Sequence, residues 1–409
     1  MPAILPIVAA LRRQRLMPFL IALQVVCATA ILVNALFLLY QQLAPMLVPD
    51  GIAPRQVLVV DQLIARQGQW TASQVQAGAQ RLRALPGVRE VAPSVGVPMR
   101  QTISFTLDVG AEGGPTTNAS VYAGQNLVRA LGLEMTRGRD FEPTDYFDMD
   151  LSSERPKLTP VILTEALADH LFPDGNALGA RLGDRDDPHR QIVVGIVRHL
   201  LRYQMGELDD GRAEHALLMP ARITGTPVLS YAVRTDPSRR TALESAIPGV
   251  LLREFGGALV PGIPPAVASY EHLRQEAFRP RRAAVWLLGT VSVVVLLVTA
   301  IGIASLTAYW VEQRTRQIGI RRALGATRGQ ILRHFLLENL LVAGTGVLLG
   351  LPLAVLANNA LMSYYELPRL PWTWLPVGAG VLLALGQCAV LWPARRAAAL
   401  PPAVATRGA

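Results

Sequence analysis

V-E-Q-R-T-R-Q-I-G-I-R-R-A-L-G-A-T-R-G-Q-I-L-R-H-F-L-L-E, running from Val311 to Glu338, decides how this chain is built. It contains six arginines, Arg314, Arg316, Arg321, Arg322, Arg328 and Arg333, and only one acid, Glu312, before Glu338. Long apolar runs flank it on both sides. Short loops this basic stay on the cytoplasmic side of a membrane. The segment therefore predicts both a membrane protein and its orientation.

Working outward, four runs are long enough to cross a bilayer, which takes about 20 apolar residues. They are Met17–Tyr40, Ala283–Trp310, Phe335–Leu361 and Trp372–Trp392. Arg12, Arg13 and Arg15 precede the first, and Arg395, Arg396 and Arg407 follow the fourth. Both termini, 1–16 and 393–409, and the loop 311–334 are thus expected in the cytoplasm. Gln41–Arg282 and the short loop 362–371 are expected outside. Arg279, Arg281 and Arg282 oppose this bias, but they end a long translocated section, where the rule counts for less. Tyr40, Trp286, Tyr364, Tyr365, Trp372 and Trp374 fall near outer ends, and Tyr309, Trp310 and Trp392 near inner ends, as an interfacial belt should. Ala28-Thr29-Ala30 reads like a cleavage site, yet ten more mostly apolar residues follow it. A cleavable apolar core is about 7–15 residues, so the first run is expected to remain as an anchor.

The 409 residues are 51% hydrophobic with a formal net charge of +9. Because the apolar residues come in blocks, the basic balance points to a membrane and not to nucleic acid. Cys27 and Cys388 both lie in apolar runs, so the polar middle has no disulfide. No thiol or histidine group has zinc-ligand spacing.

The middle section reads as an α+β mixture. Gln56–Asp61, Val121–Ala123, Val161–Thr164, Gln191–Val197 and Ser230–Arg234 are strand-like. Thr71–Leu85 is helix-like with Thr71 as N-cap. Glu165–Phe172 is a short helix, and Ser238–Phe255 a helix broken at Pro248. The length of Gln41–Arg282 predicts two lobes.

Catalytic patterns are missing. The sequence has no G-x-x-x-x-G-K-[ST], G-x-S-x-G or H-E-x-x-H. Asp184–His189 (D-R-D-D-P-H) lacks the glycine and distal glutamate of a calcium loop and reads as a solvated loop. Gly346 and Gly350 form G-x-x-x-G inside an apolar run, a packing signal. Gln24 and Asn34 are polar groups inside the first run. They fit either interhelical hydrogen bonding or a functional role.

The segment that opened this section has finer structure. Val311–Leu324 is helix-compatible, Gly325 suits a C-cap, and Thr327 with Gln330 forms a capping box for a second helix. A loop that only anchored topology would not need two capped helices.

E-Q-R-T-R-Q-I-G-I-R-R-A-L-G-A-T (Glu312–Thr327) resembles the signature of the MacB/FtsX-type ABC transporter permeases. Ala10–Leu16 is similar to the family's N-terminal cytoplasmic helix. Val121–Phe141 and Val161–Pro173 are similar to its periplasmic core domain, and Trp392–Arg407 to its C-terminal tail. The family pattern has Glu where Gln317 stands. The resemblance implies four spans and a large periplasmic α+β domain between the first and second. It implies a non-enzymatic permease subunit, with no cofactor in this chain and no catalytic or metal residues. ATP and magnesium would belong to a partner ABC ATPase. MacB itself has a fused nucleotide-binding domain, whereas about sixteen residues precede the first span here, so the ATPase is expected on a separate polypeptide. A second permease copy or a related permease, a periplasmic membrane-fusion adaptor and membrane lipid complete the implied partners. Motion driven by the ATPase would drive efflux or extrusion of a peptide, antibiotic or lipid-linked substrate. The alternative is an FtsX-like signalling protein that regulates a cell-wall hydrolase. The expected coupling residues are Glu312, Arg314, Arg316, Ile318, Gly319, Ile320, Arg321, Arg322, Leu324, Gly325 and Thr327. Ile318, Ile320 and Leu324 are expected to fill a groove in the ATPase. Arg314, Arg321 and Arg322 are expected to meet acids on its rim.

Overall fold

The computed structural model describes residues 16–100, 105–150, 156–183, 189–203, 212–365 and 369–399, apart from the side chains of Arg322, Tyr365 and Ala397. Most of the expected N-terminal helix, the acids of Asp184–His189 and the end of the C-terminal tail lie outside the described residues. Two compact bodies result: the long apolar helices, up to Leu43 and from Arg281, and an inserted domain, Ala44–Pro280.

After α1 (Leu16–Leu47) the inserted domain begins with β1 (Val57–Ile64), α2 (Ala72–Arg83), β2 (Val88–Val95), β3 (Phe105–Gly110), β4 (Thr116–Gly124) and α3 (Leu127–Leu131). It continues with β5 (Met135–Gly138), β6 (Phe147–Met149), β7 (Leu158–Thr164), α4 (Glu165–Leu171), β8 (Arg181–Leu182) and β9 (Arg190–Val197). β10 (Ala216–Ile223), β11 (Val228–Thr235), α5 (Arg240–Phe255), β12 (Ala266–Ser269) and α6 (Tyr270–Ala277) complete it.

One sheet links these strands in the order β12-β1-β11-β2-β4-β10-β7-β9-β5, with β3 beside β4, β6 beside β10 and β8 beside β9. The ladder continues from end to end through the inserted domain. β4 pairs with β10 and β7 with β9 in parallel, and β1, β11 and β2 pair antiparallel. Leu58 and Val60 of β1 join one apolar cluster, while Val57 and Val59 join the other. A strand buried on both faces reads as a continuous apolar run, which is why Q-V-L-V-V-D was legible. α2 and α5 cover one face through Val75, Ala79, Leu82, Leu243, Ile247, Leu251 and Phe255. α3 and α6 cover the other through Leu127, Leu131, Tyr270 and Leu273.

Thr71 caps α2 as expected, and its box with Gln74 is reciprocal. Pro248 does not break α5, which runs through it to Phe255. Its four buried apolar residues recur every fourth position, and burial of that stripe, at about 1.5–3 kcal/mol per side chain, outweighs one lost backbone hydrogen bond.

The other body holds α1, α7 (Arg279–Gln313), α8 (Thr315–Ala323), α9 (Arg328–Tyr365) and α10 (Trp374–Ala399). All but α8 are long and apolar enough to cross a membrane. α9 begins at Arg328, so the helix expected to start at Thr327 and the third span are one rod. Gln24 Nε2 donates to the carbonyls of Val298 (3.1 Å) and Thr299 (3.3 Å) on α7. Asn34 Nδ2 donates to Ala354 O on α9 at 3.0 Å. Both intramembrane polar groups thus hydrogen-bond between helices. The G-x-x-x-G pair lies against α1: a Cβ on Gly346 would stand 2.8 Å from Ala22 O, and one on Gly350 2.6 Å from the Thr29 Cβ. Gly350→Val should push α1 and α9 apart. We expect a cost of about 1–3 kcal/mol from overpacking, seen as a lower thermal midpoint and poorer monodispersity in detergent. A variant that melts with the wild type would contradict this close approach.

Candidate functional site

The segment between spans two and three is built by its caps. α7 stops at Gln313. Thr315 Oγ1 donates to the carbonyls of Glu312 (2.8 Å) and Val311 (3.2 Å), drawing the turn tight. Arg314 is the single residue between α7 and α8. At the far end of α8, Gly325 adopts φ +96° and Ala326 N donates to Arg321 O at 3.0 Å. That is the long bond of a Schellman turn, with glycine in the left-handed position. Thr327 N then donates to Gln330 Oε1 (3.0 Å), and Gln330 N to Thr327 Oγ1 (3.3 Å). This reciprocal box starts α9.

α8 consequently presents two faces. Ile318 is 6% exposed and packs in the apolar cluster that includes Ile331 and Phe335 of α9 and Val390 and Ala394 of α10. Gly319 is buried beside it. On the opposite face Ile320 is 50% exposed and Leu324 82%. Glu312, Arg316, Gln317, Arg321, Gly325 and Thr327 are exposed around them. Arg322 lies in α8, its side chain outside the described residues.

Two expected docking residues therefore point elsewhere. Ile318 and Ile320 are two positions apart, about 200° around a helix, and cannot share a face. Ile320 and Leu324, four apart, can. The spacing itself held that signal. Arg314 also turns inward. Its guanidinium lies 4.5 Å from the Trp310 ring centre, and its Nη1 is 3.0 Å from Glu338 Oε1. In the sequence, Glu338 marks only the end of the basic segment.

A second cluster lies within the inserted domain and ties its first residues to its last. Tyr270 Oη donates to Asp50 Oδ2 at 2.9 Å, and Arg274 Nε lies 2.9 Å from the same oxygen. Arg274 Nη2 donates to Met46 O at 3.2 Å, and the guanidinium sits 5.2 Å from the Phe278 ring centre. Burial and the Asp50 carboxylate push the Tyr270 hydroxyl well above its usual range, so it stays a donor. Residues 46–50, leaving α1, are thus tied to residues 270–278, leading into α7. Sequence patterns missed this knot because its partners lie 220 positions apart.

No catalytic constellation forms among the described residues, and no three metal-ligating side chains converge there. One group of histidines, His170, His199 and His215, gathers with Glu214. Its geometry is structural: His199 Nδ1 meets Glu214 Oε1 at 2.6 Å, and His215 Nδ1 meets Thr117 Oγ1 at 3.0 Å. Burial, with His170 and Arg202 nearby, pushes His215 down to about 4, leaving it neutral near pH 7.

Comparison with known proteins matches two family models. Residues 25–250 match the MacB-like periplasmic core domain, and residues 289–402 the FtsX-like permease C-terminal. The macrolide export ATP-binding/permease protein MacB 1/2 of Paracoccus denitrificans is 28% identical over 80% of this chain and 46% of its own length. The uncharacterized ABC transporter permease YvrN of Bacillus subtilis is 29% identical over 64% of this chain and 68% of its own. The periplasmic region of MacB from Actinobacillus actinomycetemcomitans matches 55% of this chain and 94% of that one, at 16% identity and a TM-score of 0.36. The chain spans less than half the length of the macrolide-export relatives it matches.

Proposed function

Because the chain belongs to the family of ABC transporter permeases with a MacB-like periplasmic core domain and an FtsX-like permease C-terminal region, we propose that it is the permease subunit of a MacB-like transporter, driven by a separate ABC ATPase. The ATPase docks on the exposed face of α8 and the turn at Gly325. Nucleotide and magnesium belong to that partner. Movement at α8 passes through α7, α9 and α1 to the inserted domain, which lies in the periplasm. The transported class is a peptide, antibiotic or lipid-linked molecule, and a second permease completes the assembly. A periplasmic adaptor is a further partner.

One observation carries this reading. A short helix that ends in a left-handed glycine turn exposes Leu324 almost fully, beside Ile320, Arg316 and Arg321. An apolar knob within a basic rim suits a groove with acidic edges, where the buried anchor supplies affinity and the rim charges tune association. Co-expression with the candidate ATPase should yield a complex in which ATP hydrolysis is stimulated. Chains that co-purify with no ABC ATPase would remove the reading.

Orientation has its own test. With Cys27 and Cys388 replaced by alanine, Asp169→Cys should react with an impermeant thiol reagent in cells whose outer membrane is permeabilised. Gly329→Cys should react only after the inner membrane is opened. The reverse pattern would place α8 on the wrong side for an ATPase.

A further inference from the structure

We propose that Arg314 and Glu338 are positioning residues: a buried lock that fixes α8 to spans two and three, so that a push on α8 moves all three helices together. This rests on reading α8 as the ATPase-docking helix. Arg314 occupies the one-residue break between α7 and α8, the natural hinge of the segment. Its side chain is 13% exposed and that of Glu338 2%. The Trp310 ring closes one side of the guanidinium. Arg314 thereby contacts α7 through Trp310 and α9 through Glu338, while its backbone N donates to Val311 O at 3.1 Å.

Energy alone is a poor reason for such a pair. Desolvating two charges offsets much of their attraction, and apolar residues of similar volume often do as well or better for stability. What an ion pair adds is direction. The guanidinium must stay in register with one carboxylate, whereas an apolar contact tolerates sliding. The bond also uses only one carboxylate oxygen, Oε1; no protein partner reaches Oε2 among the described residues. A single directed contact at a hinge sets an angle more than it adds strength.

The test separates position from stability. The double variant Arg314→Met with Glu338→Leu removes the pair and leaves no buried charge, so it should fold. On a background with Cys27 and Cys388 replaced, spin labels at Gln317→Cys on α8 and Leu356→Cys on α9 report the placement of α8 without any ATPase present. The wild-type pair should give one narrow distance peak. The double variant, with an unchanged melting temperature, should lose it to a broad distribution. The swap Arg314→Glu with Glu338→Arg should restore much of the narrow peak. With the ATPase present, the double variant should bind it normally while transport per ATP hydrolysed falls roughly ten-fold, toward the upper range for changes in an internal coupling network. A distance peak as narrow as that of the wild type would overturn the lock. Failure of the wild-type chain to bind the ATPase would instead overturn the docking reading, and the distance measurement still decides the lock.

Discussion

Leu324→Asp is expected to abolish co-purification with the ATPase while leaving membrane insertion and the thermal midpoint of the free chain unchanged. The side chain is 82% exposed, so the free protein does not depend on it. In a groove, the substitution removes an apolar anchor worth about 2 kcal/mol or more. It also buries a carboxylate with no partner, which costs several kcal/mol further. The sum corresponds to a loss of affinity of roughly a thousand-fold or more. Two companions grade the effect. Arg321→Ala should weaken binding mildly, and the difference should shrink at high salt, because an exposed rim charge is screened. Gly325→Val should be nearly as damaging as Leu324→Asp, for a different reason: a β-branched residue is strained at φ +96°, so the turn that presents Leu324 would open. Normal binding by Leu324→Asp would leave the segment a topological anchor only.

Asp50→Ala is expected to destabilise the chain and to uncouple transport even where the ATPase still binds. The substitution strands the buried Tyr270 hydroxyl and removes the carboxylate beside Arg274. Leaving a buried donor unpaired costs about 1–3 kcal/mol, and a half-buried charge adds to it. Residues 46–50 would then be held to residues 270–278 only by the Arg274 bond to Met46 O, and a pull on either flanking helix would pass less directly to the other. Asp50→Asn is the informative control. Its amide oxygen can still accept from Tyr270, so most of the stability should return, while the ion pair with Arg274 stays broken. Thermal midpoints in detergent, read beside transport per ATP, separate the two contributions. If Asp50→Ala transported with wild-type efficiency, the knot would have no part in transmission.

Much of this architecture could be read from residue pattern, for physical reasons specific to each element. The four spans are long apolar runs, and hydrocarbon permits few alternatives to helix. The Thr71 and Thr327 boxes and the Gly325 turn are local, so a few neighbouring residues carry the whole signal. β10 was invisible because Pro220 lies within it, and proline normally argues against a central strand. Here Pro220 falls between the β7 pairing, which ends at Leu218, and the β6 pairing, which begins at Ala221. β2, β3 and the short strands β5, β6 and β8 have weak apolar patterns; β2, β5 and β6 are stabilised by partners far away in sequence, whereas β3 and β8 pair with the strands that follow them, β4 and β9. The rotation of α8 was only half legible. Helical spacing separates Ile318 from Ile320, but which of them faces inward depends on the break at Arg314, where the phase of α7 is reset. That same break turned Arg314 from an expected rim contact into a partner of Glu338.

Docking of the ATPase on α8 is the claim on which the rest depends, and a photo-crosslinker at position 324 tests it most directly. With benzoylphenylalanine replacing Leu324 in cells that co-express the ATPase, irradiation should join the two chains, and the same probe at the buried position 318 should not. Cross-links from position 324 to lipid alone, with the ATPase present and the chain properly inserted, would contradict the account.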